Sequence, residues 1–116
     1  MDQFSVLLGI SNSLCAVLFV CLSLPLLKGR IRMNRWYGIR FKKAYESEKN
    51  WYRLNRYGAE RIITWSVPLL VVGVATFFVP LQTQGGPRRA LIVALASAPL
   101  IVLIPAVESY LYSRKL

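Results

Sequence analysis

The side chains able to do chemistry gather in one place. Asn34, Gly38, Arg40, Ser47, Trp51 and Asn55 all lie in the basic, aromatic stretch MNRWYGIRFKKAYESEKNWYRLNRYG, and Glu108 stands apart at the end of an apolar run. Arg40 offers a planar fork of donors that matches a carboxylate or a phosphate. Asn34 and Asn55 can satisfy loop carbonyls or orient that guanidinium, Gly38 permits a turn or a close approach, and Trp51 can cover the site. Two readings stand side by side. In one the residues stitch a loop onto the helix ends, with Arg40 pairing Glu108 or capping free carbonyls. They can equally be read as an anion or headgroup pocket just under a membrane surface. Glu108 divides in the same way between an interfacial salt bridge and a functional acid that handles a ligand or a proton, because a charge within a span is costly and tends to be paired or functional.

Little else in the composition points to catalysis. There is no histidine, and the two cysteines, Cys15 and Cys21, fall six positions apart in one apolar run. On a helix that spacing places them about 120° apart, which excludes a disulfide between them within one chain. No Cys-x-x-Cys and no clustered carboxylates suggest a metal or a catalytic set, such as one acting on lipid phosphate, so no cofactor and no enzymatic reaction are expected.

These residues are positioned by membrane spans. Of the 116 residues 55% are hydrophobic and 17% charged, and from Phe4 to Leu27, Ile62 to Leu81 and Ala90 to Val107 there is no charge at all. At about 1.5 Å of rise per residue each run crosses, or nearly crosses, a hydrocarbon layer of roughly 30 Å. The expected fold is therefore an all-α membrane protein, a single module with three transmembrane helices at about 4–27, 62–81 and 90–112. The first run lacks the basic start of a signal peptide and is too long for a cleaved one, so it reads as a retained helix.

Between the first two spans, residues 28–61 carry eleven Lys and Arg against Glu46, Glu48 and Glu60, whereas the turn before the third span carries only Arg88 and Arg89. By the positive-inside rule this loop is cytoplasmic, the N-terminus outside and the C-terminus cytoplasmic. A net charge of +10 confined to span flanks indicates anionic lipid headgroups rather than nucleic acid. Within the loop, Ser47 reads as an N-cap and Glu48 as a first-turn acid of an interfacial amphipathic helix. Lys49, Arg53, Arg56 and Glu60 share one face of it; Trp51, Asn55, Gly58 and Ile62 lie opposite. Eight aromatics between Trp36 and Trp65 fit an interfacial belt.

Small and weakly polar residues line one side of the first span (Ser5, Gly9, Asn12, Ser13, Ala16, Ser23) and one side of the third (Ala90, Ala94, Ser97, Ala98, Ile101, Pro105, Glu108). Such stripes are expected to form helix seams, within the chain or in a homo-oligomer.

The loop resembles the SdpI family of small multi-pass bacterial membrane proteins, named for a toxin-immunity protein. Asn34 stands four residues before Gly38, Gly38-Ile39-Arg40 supplies the core triplet, and Ser47, Trp51 and Asn55 follow at the family's intervals. Met33, Phe41 and Ala44 depart from the proline, threonine and hydroxyl residue usual there. The resemblance implies a bacterial inner-membrane protein that acts by binding a peptide toxin, a lipid or a regulatory protein, in immunity or membrane signalling. The alternative is a small oligomeric transporter or channel subunit using Asn12 and Glu108.

Overall fold

A computed structural model describes residues 2–116. Four α-helices dominate: α1 (Gln3–Leu27), α2 (Glu48–Thr76), α3 (Arg89–Ala96) and α4 (Leu103–Ser113). Short 3₁₀ turns occupy Lys42–Glu46 and Ala98–Val102, and a minimal antiparallel hairpin, β1 (Gln82–Thr83) with β2 (Gly86–Pro87), pairs Gln82 with Pro87 and Thr83 with Gly86. The bundle is elongated, 58 × 23 × 20 Å.

α1 and α2 are each long and apolar enough to cross a bilayer. α3 and the segment Ala98–Ser113 make a third candidate only when counted as one span, because the two arms are bent by 41° where they meet. Chemistry at the bend accounts for it. Pro99 has no N–H to return to the carbonyl of Leu95, four residues earlier, and its ring disfavours a continuous helix. Ser97 folds its Oγ back onto the carbonyls of Val93 (2.9 Å) and Ala94 (3.1 Å). The carbonyl of Leu95 instead accepts a bond from Asn12 Nδ2 of α1 at 3.0 Å. Asn12 is 1% exposed, so a buried amide and a freed carbonyl satisfy each other across two helices.

The seam expected on α1 is the one used: Ser5, Gly9, Asn12, Ala16 and Ser23 are buried and Ser13 is half-buried. α1 and α2 approach so closely that a β-carbon on Gly73 would lie 2.6 Å from the backbone nitrogen of Ser13. On the third segment the expected stripe is buried only in part. Pro105 is buried, but Ala90, Ala94 and Ser97 are exposed, and α3 buries no residue. The bend is the reason, since a stripe drawn on one straight helix loses its common face when the helix turns at Ser97.

α2 joins the amphipathic segment to the second span. From Glu48 the helix runs without a break past Arg61 into the uncharged stretch, and it ends at Thr76, short of the expected Leu81. Ser47 caps it, its Oγ accepting the Asn50 N–H at 3.0 Å. Twenty-nine residues extend about 43 Å, longer than the ~30 Å hydrocarbon layer, so one helix has length for both a polar and an apolar stretch.

At the opposite end Asp2 joins the start of α1 to the segment that leads from α2 into the hairpin. Its carboxylate accepts the Ser5 N–H (2.8 Å), capping α1, and the N–H groups of Leu81 (2.8 Å) and Gln82 (3.2 Å). Those bonds, the one from Ser5 first, hold its pKa down at about 2 despite some loss of hydration.

Candidate functional site

The motif loop is built from the chain leaving α1. Asn34 forms an Asx turn: its Oδ1 accepts the N–H groups of Trp36 (2.8 Å) and Tyr37 (2.6 Å), and its Nδ2 donates to the carbonyl of Arg32 (2.7 Å). Tyr45 OH donates to the carbonyl of Asn34 at 2.8 Å, and Tyr37 OH donates to the carbonyl of Leu22, so the turn is tied both to the later loop and to α1.

Gly38 follows with φ +116°, a conformation that L side chains rarely adopt, and a β-carbon there would lie 2.7 Å from Asn55 Oδ1. Both glycine properties are in use. They let Asn55, 2% exposed on α2, reach both backbone groups of Ile39, accepting its N–H at 2.5 Å and donating to its carbonyl at 3.3 Å. A side-chain amide thus pairs with Ile39 much as a neighbouring strand would. The same Nδ2 also donates to the Trp51 carbonyl at 2.9 Å.

Trp51 is fully buried rather than a cover over the site. Its Nε1 donates to the carbonyl of Ile31 at 2.9 Å, and it centres an apolar cluster with Ala44 and Leu54. Met33, Phe41 and Ala44 all belong to this cluster or pack against it, and Phe41 meets Tyr110 edge-on at 5.7 Å. At these positions hydrophobic packing, instead of a hydroxyl network, holds the loop to α2 and α4.

Arg40 is exposed, and its Nη1 donates to the carbonyl of Arg35. It does not pair with Glu108, and neither Asn34 nor Asn55 touches its guanidinium. Glu108 is held by Arg61 in a two-pronged contact, Nε at 3.2 Å and Nη2 at 2.9 Å, while Trp65 Nε1 donates to the same carboxylate at 2.8 Å. Arg61 and Trp65 are one helical turn apart on α2 and so face α4 together. Sequence reasoning passed over both as partners. The available signal was their spacing of four at the point where the charged part of α2 ends. Beside this cluster Tyr57 and Tyr112 stack at 4.1 Å, adding a second α2–α4 contact.

Of the sequence-selected residues, the fold brings Gly38, Trp51 and Asn55 into direct contact. Asn34 shapes the turn before them and Ser47 caps the helix behind them. Glu108 belongs to a separate clasp. Arg40, with Arg35, faces a groove of about 920 Å³ between the loop and the third segment. Gly38, Ile39 and Phe41 form its loop side, Ile62 its α2 side, and Val102, Leu103, Pro105 and Ala106 its far wall. A smaller cleft of about 290 Å³ shares Gly38, Ile39, Ile62 and Val102 and continues to Leu22 and Leu26 of α1. Chemically the groove joins two cations to an apolar channel. Among the described residues no group of three or more His, Cys, Asp or Glu could hold a metal ion.

The family model described as the SdpI/YfhL protein family matches residues 30–108. The chain belongs to the SdpI/YfhL family. The SdpI/YfhL match starts in the basic loop, includes α2, the hairpin and the bend, and ends at Glu108, so it takes in every motif residue and both walls of the groove. Together with the apolar helices, membership makes this SdpI/YfhL chain a membrane protein. No curated protein and no solved structure is significantly similar to it.

Proposed function

We propose that this SdpI/YfhL protein is a non-enzymatic binding protein of the bacterial inner membrane, serving toxin immunity or membrane signalling. It spans the membrane three times, with its N-terminus outside, its C-terminus and motif loop in the cytoplasm, and the first turns of α2 lying at headgroup level. The observation that carries the reading is the groove beside Gly38-Ile39-Arg40: a backbone held by Asn55 presents Arg40 to an open channel. A structural loop needs no such opening. Asn34, Gly38, Ser47, Trp51 and Asn55 shape the site and Arg40 is its ligand-facing member, while Glu108 braces α4. The transporter alternative is disfavoured because Asn12 and Glu108, the groups that would line a pathway, are both engaged between helices. The exposed Ala90, Ala94 and Ser97 leave a surface on which a second copy could pack.

The test is expression in bacteria sensitive to candidate secreted peptide toxins. Wild-type protein should protect, and Ala106→Trp, which fills the groove from an exposed position, should abolish protection with membrane insertion retained. Ion flux in liposomes that is lost in Glu108→Gln would replace this reading with the transporter.

A further inference from the structure

We infer that the groove takes an anionic phospholipid, with the headgroup against Arg35 and Arg40 and an acyl chain against Ile62 and the wall of the third segment. This ligand class rests on the groove being the binding site.

Charge is the first ground. Arg35 and Arg40 are exposed at the groove, no acidic residue lines it, and among the described residues neither arginine has an ion-pair partner. Arg61, close by on α2, is by contrast neutralised by Glu108. Arg40 uses one nitrogen on the main-chain carbonyl of Arg35, a bond that ties its guanidinium to the loop and leaves its remaining donors available to a phosphate.

Shape and depth supply the second ground. Away from the arginines the lining is mostly apolar, its two hydroxyls, Tyr45 and Ser109, donating to the carbonyls of Asn34 and Pro105, and a free inorganic anion would leave that channel uncovered. Ile62 opens the uncharged run of α2 directly after Arg61, so the arginines stand level with the end of the charged stretch and the channel level with the start of the apolar one. That is the order of headgroup and acyl chain in a lipid leaflet. Leu103 is 57% exposed, so the wall is low on the side that faces the bilayer and a chain can enter sideways without leaving the membrane.

The full-length protein is reconstituted in vesicles of equal parts phosphatidylcholine and phosphatidylglycerol, extracted gently, and its retained lipid read by native mass spectrometry. Wild type should retain phosphatidylglycerol in preference to phosphatidylcholine. Each arginine near a charged leaflet contributes about 1 kcal/mol, so Arg35→Gln and Arg40→Gln should each reduce the preference ~fivefold. Arg53→Gln with Arg56→Gln removes two charges away from the groove and should reduce the preference less than either single groove variant. Ala106→Trp should lower retention with both arginines present. All these positions are exposed, and unchanged thermal stability shows that the fold survives.

No preference in wild type, or equal loss in the Arg53 and Arg56 variant, overturns the lipid assignment. If Ala106→Trp then still abolishes toxin protection, the groove remains the working site for a different ligand, such as a peptide carboxylate. If it affects neither retention nor protection, the groove reading falls as well.

Discussion

Glu108 and Arg40 carry opposite charges at the same end of the bundle, yet the structure gives Glu108 to Arg61. The spacing of Arg61 and Trp65 marks them as sharing one face of α2, but only the rotation of that face towards α4 gives Glu108 to them. Double-mutant cycles on thermal stability should therefore separate the two arginines. Arg61→Ala with Glu108→Ala should show a coupling of about 0.5–3 kcal/mol, while Arg40→Ala with Glu108→Ala should be additive within about 0.5 kcal/mol. Coupling of the Arg40 pair would overturn the assignment. Asp2 permits a test by pH. Its folded pKa of about 2 lies below the ordinary 3.8. A depressed carboxylate stabilises fully above the unfolded value, and the contribution is lost as pH falls from about 3.8 towards 2. Asp2→Asn should abolish this part of the acid dependence of stability and leave behaviour near neutrality without a titration step from that site.

Helices show a similar division between local and distant causes. The Ser47 cap, the small-residue seam of α1 and the interruption near Pro99 each follow from groups within a turn or two. What sequence did not disclose is that Asn12, chosen as a possible pathway residue, satisfies the very carbonyl that Pro99 leaves free. Asn12→Leu should thus cost on the order of 1 kcal/mol, the usual worth of a hydrogen bond between membrane helices. Pro99→Ala restores an N–H for Leu95, and in that background Asn12→Leu should cost clearly less. A smaller drop in unfolding temperature on Asn12→Leu in the Pro99→Ala background would support the exchange of partners; an equal or larger drop would refute it. The same bend explains why Ala90, Ala94 and Ser97 did not join the seam expected from a straight projection.

Across the whole molecule, the distribution of cations remains the ground for the proposed orientation. A single cysteine placed at Gln84, in a background with Cys15 and Cys21 replaced by serine, should react with an impermeant reagent applied to intact cells. One at Lys43 should react only after the membrane is opened. Labelling at Lys43 from outside would reverse the topology and place the groove in the opposite leaflet. Charge also marks the two sides of the lower part of α2: Lys49, Arg53, Arg56 and Glu60 are exposed, whereas Trp51, Leu54, Asn55, Gly58 and Ala59 are buried.

The amino-acid sequence by itself determined the helical membrane class, the apolar stretches, the cap at Ser47 and the family motif. Transfer into lipid and backbone capping depend on residues close together in the chain, so composition and spacing are enough to read them. Only the tertiary structure decided that Asn55 clamps Ile39, that Trp51 is core, that Glu108 belongs to Arg61, and that Arg35 joins Arg40 at a groove. Each of these depends on the rotation and separation of α1, α2 and α4. Those quantities arise from the joint packing of Gly38, Gly73, the Trp51 cluster and the Pro99 bend, and no single segment carries them.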